Sequence, residues 1–341
     1  MKQFKEYEQL AYSFIGENDQ YIIFNDGKPI RHHLDEEKIE ISLDSNIDAY
    51  DICKRKRCKE EENIIEKAHF NNCINIKKDV DLKIIYLNDD EDNLSFSFDI
   101  QRNVKVNILH IFLACQRNTN ILRDYNLNDN VVLKNISFNN YENEVLEHNN
   151  FYLDDKAYLE LNDLNINDNK SESYNEIYLY SVGASAVVNN SAINASGLSQ
   201  KNNFKIYHNA KKTKSELTCY GVVSNKSSLN MDTCGYIKKD CNGSDMHQKS
   251  KGILLDLESA ITAAPELYID CYDCMAAHGA SVGAIDENDI YYLMSRGLSR
   301  TDAEKLVVYG FFNPYLANVK DENILAYIKK IIENKLENKN E

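Results

Sequence analysis

Apolar and polar residues alternate over short stretches through most of the middle of the chain. Examples are "LSFSFDI" at 94–100, "AYLELNDLNI" at 157–166 and "ELTCYGVV" at 216–223. Alternation over four to eight residues is typical of strands with one buried face. Clusters of Asn, Asp, Ser and Gly separate these runs, and no helical pattern interrupts them. The pattern therefore predicts a β-rich core over residues 74–285.

So many short strands without helices fit three architectures: a sandwich, a barrel or a β-solenoid. The strands are dense and irregularly spaced, and hydrophobicity is spread evenly along them. These features favour a solenoid, although the strict hexapeptide or nonapeptide repeats of some solenoids are absent. We expect a mainly β fold with a parallel β-solenoid core.

Helical spacing occurs at both ends of the chain. Residues 1–73 contain "EYEQLAYSFI" and "EEENIIEKAHF", with a strand-like run at 21–24 between them. This mixture predicts a small helical or mixed α/β region before the core.

A C-terminal helical domain is predicted over residues 286–341. Asp286 and Ser299 are placed to cap the starts of two helices, and Gly297 marks the end of the first. Pro314 predicts a break near Asn313. The last helix, at 321–336, carries an apolar stripe made of Ile324, Leu325, Ile328, Ile331, Ile332 and Leu336.

Charge and composition exclude several classes of protein. The net charge of −15 argues against nucleic-acid binding, which needs a basic face. The one basic run, "KRKRCK" at 54–59, is followed at once by "EEE", which is typical of a solvated helix. No segment approaches the ~20 apolar residues of a membrane helix, and the N-terminus does not resemble a signal peptide. A cytoplasmic protein is expected, whose nine cysteines form no structural disulfides.

Most candidate motifs have a simpler explanation. Cys271 and Cys274 have metal-site spacing, but residues three apart on a strand face opposite sides, so two independent thiols are expected unless a tight turn intervenes. Cys53 and Cys58 align poorly on a helix, and "NDDEDN" at 88–93 predicts a solvated turn. Nucleophile-elbow, phosphate-loop and dinucleotide fingerprints are absent, so nothing in the sequence indicates an enzyme.

His278 lies among the smallest side chains of the chain. Its neighbours are Ala276, Ala277, Gly279 and Ala280, which leave room for another backbone to approach closely. An imidazole there can ligate a metal or accept a proton near neutral pH, although a lone histidine is more often structural.

The stretch "PELYIDCYDCMAAHGASVGAIDENDIYYLMSRGLSRTDAEKLVVYGFF", at 265–312, resembles the C-terminal signature of the SufB/SufD family, scaffold subunits of the Suf iron–sulfur cluster assembly machinery. That pattern runs roughly P-x-L-x-I, a spacer, H-G-A-x-x-G-x-[IL]-D and an aromatic-Y-L-x-S-R-G helix. The residues that match it are Pro265, Leu267, Ile269, His278, Gly279, Ala280, Gly283, Asp286, Tyr292, Leu293, Ser295, Arg296 and Gly297. The resemblance covers about 176–317, where His208 with Ser215 also keeps the family's order.

"HGASVG" at 278–283 is similar to the SufD form of this segment rather than to the SufB form. Many SufD chains carry Cys two residues before the histidine, and here Ala276 stands there. A sulfur role for that cysteine therefore does not carry over, and Cys274 is only a weak candidate.

The resemblance implies a right-handed parallel β-helix with helical parts at both ends. It also implies that His278 lies at an interface with a SufB-type paralogue and is a candidate ligand of a transient Fe–S cluster, with no tightly bound cofactor. A cysteine desulfurase or other sulfur donor would act on the complex indirectly.

By the same resemblance, the C-terminal helices dock a SufC-type ATPase, which alone hydrolyses ATP, so the chain is a non-catalytic scaffold. Arg296, Gly297, Phe311 and Phe312 are the candidate docking residues, with core packing the alternative for the two phenylalanines. Three other possibilities stay open: a homomeric scaffold that pairs with itself, a β-helix enzyme acting on polysaccharide, and a purely structural solenoid.

Overall fold

The computed structural model describes residues 2–44, 52–115 and 117–337 of the chain. It contains nineteen strands and six helices in these residues. The strands are β1 (Gln20–Asn25), β2 (Lys28–His33), β3 (Ile39–Asp44), β4 (Asn71–Ile76), β5 (Val80–Asn88), β6 (Asn93–Ile100), β7 (Lys105–Cys115), β8 (Thr119–Leu127), β9 (Val132–Asn139), β10 (Val145–Leu153), β11 (Tyr158–Ile166), β12 (Ser171–Leu179), β13 (Ser185–Asn194), β14 (Ser199–His208), β15 (Lys214–Val223), β16 (Ser228–Ile237), β17 (Ser244–Leu254), β18 (Ala260–Ile269) and β19 (Cys274–Ala284). The helices are α1 (Lys2–Ser13), α2 (Lys59–Lys67), α3 (Glu287–Ser295), α4 (Arg300–Phe311), α5 (Asn313–Leu316) and α6 (Glu322–Glu337).

Successive strands from β4 onward alternate between two sheets. Sheet A runs β19-β17-β15-β13-β11-β9-β7-β5-β1-β2, and sheet B runs β18-β16-β14-β12-β10-β8-β6-β4-β3. Neighbouring strands are parallel, except that β2 and β3 close the first end as antiparallel partners of β1 and β4. The chain is therefore a parallel β-solenoid of about seven turns, and the predicted fold class is confirmed.

The turns of the solenoid grow longer toward the C-terminus. Hydrogen bonds between equivalent positions span 26 residues at Asn149 and Asn175, and 31 residues at Thr213 and Ser244. This change of period explains why no strict repeat is visible in the sequence. One corner is nevertheless built alike in six successive turns, with a residue of positive φ: Asn103, Asn130, Lys156, Gly183, Lys212 and Gly243.

The main core lies between the two sheets. In β14, for example, every second residue is buried, which is the period expected when one face of a strand packs inward. Because the parallel strands pair in register, side chains of similar type stack on one another from turn to turn. Aromatic residues that stack inside the solenoid include Phe98, Tyr125 and Phe151.

A second core lies on the outer face of sheet A, beneath α1, α4, α5 and α6. The stripe predicted for the last helix is confirmed, because Ile324, Ile328, Ile332 and Leu336 are buried there. Pro314 begins α5 directly after α4 ends, as expected. Lys83 on β5 forms ion pairs with Asp19 and Asp321, at 2.7 and 2.6 Å, and so ties both ends of the chain to the sheet.

The structure draws no boundary at residue 73. β1 is paired in parallel with β5, residue for residue from Gln20 to Asn25, so the N-terminal region forms the first strands of the solenoid. Among the described residues, no helix is both long enough and apolar enough to cross a membrane.

The basic run at 54–59 is not the solvated helix that its composition predicted. Residues 52–58, which we name the strap, have no regular structure and cross the outer face of sheet B before α2 begins. Arg57 pairs with the buried Asp124 at 2.7 Å, and Arg55 pairs with Glu61 and Glu176. The arginines are paired because the strap lies over Asp124 and Glu176 of the sheet, a neighbourhood that sequence spacing does not reveal.

Candidate functional site

The solenoid is open at its C-terminal end. β18 and β19 each pair with a strand on one side only, so the residues that face inward on this last turn have no further turn of the described chain above them. On β18 the inward positions Ala263, Pro265 and Leu267 are half-buried, whereas the equivalent positions of β16 are buried. We name the surface formed by β18 and β19 the open end.

His278 is the last member of an inward-facing column of residues in sheet A. In-register pairing links Leu161 to Val188, Val188 to Leu217, Leu217 to Gln248 and Gln248 to His278. The earlier members are buried between the sheets, and paired residues of parallel strands point to the same side. His278 therefore faces along the solenoid interior, and it is exposed because the solenoid ends there.

His278 is followed by glycines whose small size is not required by packing within this chain. A Cβ atom added at Gly279 or Gly283 would meet no atom within 4 Å, whereas one added at Gly235, in the solenoid interior, would collide with Sδ of Met246. The interior glycine is thus needed by the fold of the chain itself. The two glycines of β19 leave free space at the open end.

Cys274 lies on the same strand as His278 but cannot share a metal ion with it. The two residues are four apart, which places their Cα atoms about 13 Å apart on an extended strand. In the described part of the chain, His278 belongs to no cluster of three potential metal ligands. The described residues therefore do not supply a complete set of ligands for a metal ion at His278.

The turn between β18 and β19 brings the two cysteines of the C-x-x-C stretch together. Cys271 lies in the turn and Cys274 starts the strand, and both pack in a small cluster with Cys241 and Met246. The three thiols are free. Burial raises the pKa of the Cys241 and Cys274 thiols, so both stay protonated at neutral pH.

α3 and α4 form a hairpin that packs beside the open end. Asp286 and Ser299 cap the two helices, as predicted, by accepting hydrogen bonds from the backbone N–H groups of Asn288 and Asp302. Ile290 and Ala303 form a small core with residues from the end of β17. The hairpin is thereby fixed on sheet A while most of its side chains stay exposed.

The candidate docking residues differ in their exposure. Arg296 and Gly297 lie at the exposed turn of the hairpin, where the Arg296 guanidinium stacks 5.3 Å from the centre of the Tyr292 ring. The positive φ of Gly297, 96°, accounts for the glycine there.

Phe311 and Phe312 pack inward. Phe312 is fully buried in the core beneath the helices, so core packing, the alternative given for it above, accounts for this residue. Phe311 is half-buried, edge-on to Tyr220 of β15 at 5.3 Å. In this conformation Phe312 offers no surface to a partner, whereas Phe311 leaves part of its ring exposed.

Sequence reasoning missed a concentration of exposed apolar side chains around the open end and the hairpin. Ten of the large hydrophobic residues that the structure leaves exposed lie between residues 257 and 298: Leu257, Tyr268, Ile269, Tyr272, Met275, Val282, Tyr291, Tyr292, Met294 and Leu298. Their spacing gave no signal, because an apolar residue on an edge strand, in a turn or on a short helix has the same pattern whether or not another surface covers it. Large exposed apolar patches mark interaction sites in soluble proteins.

Comparison with known proteins gives one family. The family described as "SUF system FeS cluster assembly, SufBD core domain" matches residues 97–311. This stretch covers the solenoid from β6 onward together with α3 and α4, and so contains the open end and the hairpin.

Three individual relatives match this chain at 27–34% sequence identity. The iron–sulfur cluster assembly protein SufD of Bacillus subtilis is 29% identical over 171 residues, which are 50% of this chain and 39% of that protein. SufD of Escherichia coli is 27% identical over 103 residues, 30% of this chain and 24% of that protein. A SufBD family protein of Pyrococcus horikoshii is 34% identical over 118 residues, 33% of this chain and 26% of that protein. The matched part thus spans less than two-fifths of the length of each of these relatives.

Proposed function

The chain belongs to the SufB/SufD family of iron–sulfur cluster assembly proteins, and on that premise we propose that it is a SufD-like scaffold subunit. In this proposal it pairs with a SufB-type paralogue at the open end and docks a SufC-type ATPase through the α3–α4 hairpin. It works in the cytoplasm and catalyses no reaction itself. The observation that carries the proposal is the open end, where His278 and a group of exposed apolar residues converge.

Pairing at the open end would complete the last turn of the solenoid. β18 and β19 offer unpaired backbone groups, and such strand edges are the usual template for adding further strands. Tyr268 and Met275 are 54% and 63% exposed there, so a partner would also cover apolar surface. The free space at Gly279 and Gly283 supports a close approach of the partner's backbone.

The nascent Fe–S cluster is cargo in this proposal rather than a resident cofactor. His278 would contribute one ligand, and the partner would contribute a cysteine, because Cys274 lies too far along the strand. Histidine replaces cysteine as a cluster ligand in some sites. A mixed site shared by two chains would hold the cluster only while they are joined, which suits its transfer to a recipient.

The hairpin is proposed to receive the ATPase because it combines exposure with firm attachment. Tyr291 and Tyr292 are 76% and 56% exposed, while Ile290 anchors α3 to β17. A movement imposed on the hairpin by ATP hydrolysis in the partner would therefore reach the adjacent open end. Of the four candidate docking residues, Arg296 and Gly297 are the ones proposed to contact the ATPase. Phe312 supports the hairpin from the core.

The test is co-expression of the full chain with the SufC-type ATPase and the SufB-type paralogue of the same organism, followed by affinity purification and native mass determination. We expect a complex of all three chains. Tyr292→Asp together with Arg296→Asp should remove the ATPase and leave the paralogue, whereas Val282→Asp should remove the paralogue.

Ile30→Asp is the matched control, since Ile30 is a similarly exposed apolar residue on β2, at the opposite end of the solenoid from both surfaces. A folded chain that purifies with neither partner contradicts the proposal. A stable dimer of the chain with itself, which also binds the ATPase, would favour the homomeric scaffold instead.

A further inference from the structure

A glutamate followed two positions later by a tyrosine occurs twice at equivalent places on the outer face of sheet B. Glu176 and Tyr178 lie on β12, and Glu266 and Tyr268 lie on β18. In-register pairing from β12 through β14 and β16 to β18 puts the two glutamates in one column and the two tyrosines in the next. In each pair the tyrosine hydroxyl donates a hydrogen bond to the glutamate carboxylate. The two pairs therefore present the same groups in the same arrangement.

The pair on β12 is occupied by an arginine. Nη2 of Arg55, in the strap, lies 3.0 Å from a carboxylate oxygen of Glu176, and its Cζ lies 5.8 Å from the centre of the Tyr178 ring. Glu61 of α2 holds the same guanidinium from the other side. A planar guanidinium suits both a carboxylate and an aromatic ring. The chain itself thus shows which cation this pair of side chains binds.

The pair on β18 has no cation. Among the residues that the structure describes, Glu266 takes part in no ion pair; its neighbours are the Tyr268 hydroxyl, at 3.1 Å, and the thiol of Cys234, at 3.9 Å. Tyr268 is 54% exposed, whereas Tyr178 is 8% exposed beneath the strap. The strap ends its course over the middle of the sheet, so a second arginine has to come from another molecule.

Tyr268 ends a stack of tyrosine rings and has one uncovered face. The rings of Tyr178, Tyr207, Tyr236 and Tyr268 lie 4.6, 4.8 and 5.1 Å apart in succession. β18 is the last strand of sheet B, so no further ring of the described chain lies beyond Tyr268. The free face of this ring and the adjacent carboxylate are therefore both accessible from the open end.

The charge of the last turn suits a cationic partner. From residue 252 to residue 295 the sequence contains no lysine or arginine. It contains the acidic residues Asp256, Glu258, Glu266, Asp270, Asp273, Asp286, Glu287 and Asp289. The lysines nearest in sequence, such as Lys249 and Lys251, lie on the preceding strand of sheet A. A second copy of this chain, joined through the same surface, would bring more negative charge and no arginine, so the chemistry favours a different, basic partner.

We propose that Glu266 and Tyr268 bind an arginine side chain of the partner that pairs at the open end. The inference rests on the pairing in the proposed function and adds the chemistry by which the partner is recognised. The guanidinium bonds to the Glu266 carboxylate and lies against the free face of the Tyr268 ring. Arginine fits better than lysine, because its planar group bonds to a carboxylate through two N–H groups and stacks on a ring.

The experiment measures the dissociation constant between the full chain and the full-length SufB-type paralogue of the same organism by isothermal titration calorimetry. Glu266→Gln should weaken binding at least ~10-fold, because it leaves the partner's arginine without its carboxylate. Tyr268→Leu, which keeps an apolar side chain but removes the ring, should weaken binding about 3-fold. Asp270→Asn is the matched control: it removes the same charge from the exposed turn after β18 and should change the affinity by less than ~2-fold.

A charge exchange identifies the arginine. Each arginine on the last strands of the paralogue is replaced singly by glutamate, and one of these variants should restore the binding that Glu266→Arg abolishes. Circular dichroism checks folding, and Tyr268→Phe replaces Tyr268→Leu if the latter does not fold. Unchanged affinity in Glu266→Gln, or an equal loss in Asp270→Asn, overturns the arginine site while the pairing stands. If the unmodified chains do not bind each other, the proposed pairing itself fails, and the arginine site fails with it.

Discussion

His208 is a buried histidine that the solenoid keeps neutral. Its ring nitrogens lie 2.7 Å from Thr213 Oγ1 and 2.8 Å from Ser215 Oγ, and burial lowers its pKa to about 4. The sequence placed His208 and Ser215 in the order of the family but did not show that they touch. Contacts of this kind depend on how successive strands of the solenoid are aligned. Because the number of residues per turn changes along the chain, such contacts leave no fixed spacing in the sequence.

The low pKa of His208 predicts a loss of stability in acid. Unfolding releases the histidine to its ordinary pKa near 6.5, so the unfolded state binds the proton first as the pH falls. Between pH 7 and pH 5 this linkage costs the native state about 2 kcal/mol. Urea unfolding at both pH values should show that loss. In His208→Gln the loss should be smaller by about that amount, and an equal loss in both proteins would contradict the assignment.

Two glycines predict opposite responses to alanine. A Cβ atom at Gly235 would collide with Met246 and Gln248 in the interior, so Gly235→Ala should destabilise the chain by about 1–3 kcal/mol. Gly279→Ala meets open space and should leave the free energy of unfolding of the isolated chain within about 0.5 kcal/mol. Chemical denaturation checks both variants. Equal losses of stability would show that atoms of this chain also pack against Gly279 at the open end.

Helices were predicted more accurately than their surroundings. The boundaries of α3 and α4 followed from Asp286, Ser299 and Gly297, because capping and termination are local effects of the residues themselves. The strap was predicted wrongly, because two partners of its arginines, Asp124 and Glu176, lie on strands 67 or more positions later in the chain. Hydrophobic pattern identifies an element, but it does not identify the surface on which that element packs.

We expect the stability of the chain to depend strongly on one charged residue of the strap, Arg57. Arg57 is nearly buried and faces Asp124, whose carboxylate is also buried. Arg57→Leu leaves that carboxylate without its cation, so it should cost about 3 kcal/mol, and Arg57→Leu with Asp124→Leu should recover most of the loss. Lys56→Leu, at an exposed neighbouring position, is the control. Thermal and urea unfolding measure all three, and a silent Arg57→Leu would show that the pair does not hold the strap.

At the scale of the whole molecule, the sequence predicted the solenoid but not which of its surfaces is left uncovered. Strand density and the absence of central helices identified the architecture. α1 and the C-terminal helices cover sheet A, whereas α2 lies on sheet B. Without the family resemblance, His278 stood out only as a histidine among small residues. His278 lies at the end of an inward column because the solenoid ends at this turn. The number of turns is not readable from the sequence, because the length of a turn changes along the chain.

The open end predicts self-association of the isolated chain. Its exposed strand edges and apolar residues should drive concentration-dependent dimers when no partner is present. Met275→Lys with Val282→Lys should suppress them without lowering the melting temperature by more than a few degrees, because both residues are exposed. Sedimentation velocity over a range of concentrations tests this, and a chain that stays monomeric throughout contradicts it.

The C-terminal helices also change how the solenoid can come apart. A bare solenoid behaves as a one-dimensional stack in which each turn depends only on its neighbours and the ends fray first. Here the core beneath the helices joins residues from β5 through β15 to α4, α5 and α6, and Lys83 links an early turn to Asp321. An early turn cannot fray without disturbing this shared core, so melting should be cooperative over most of the chain. During synthesis, conversely, the early turns leave the ribosome long before the helices that cover them.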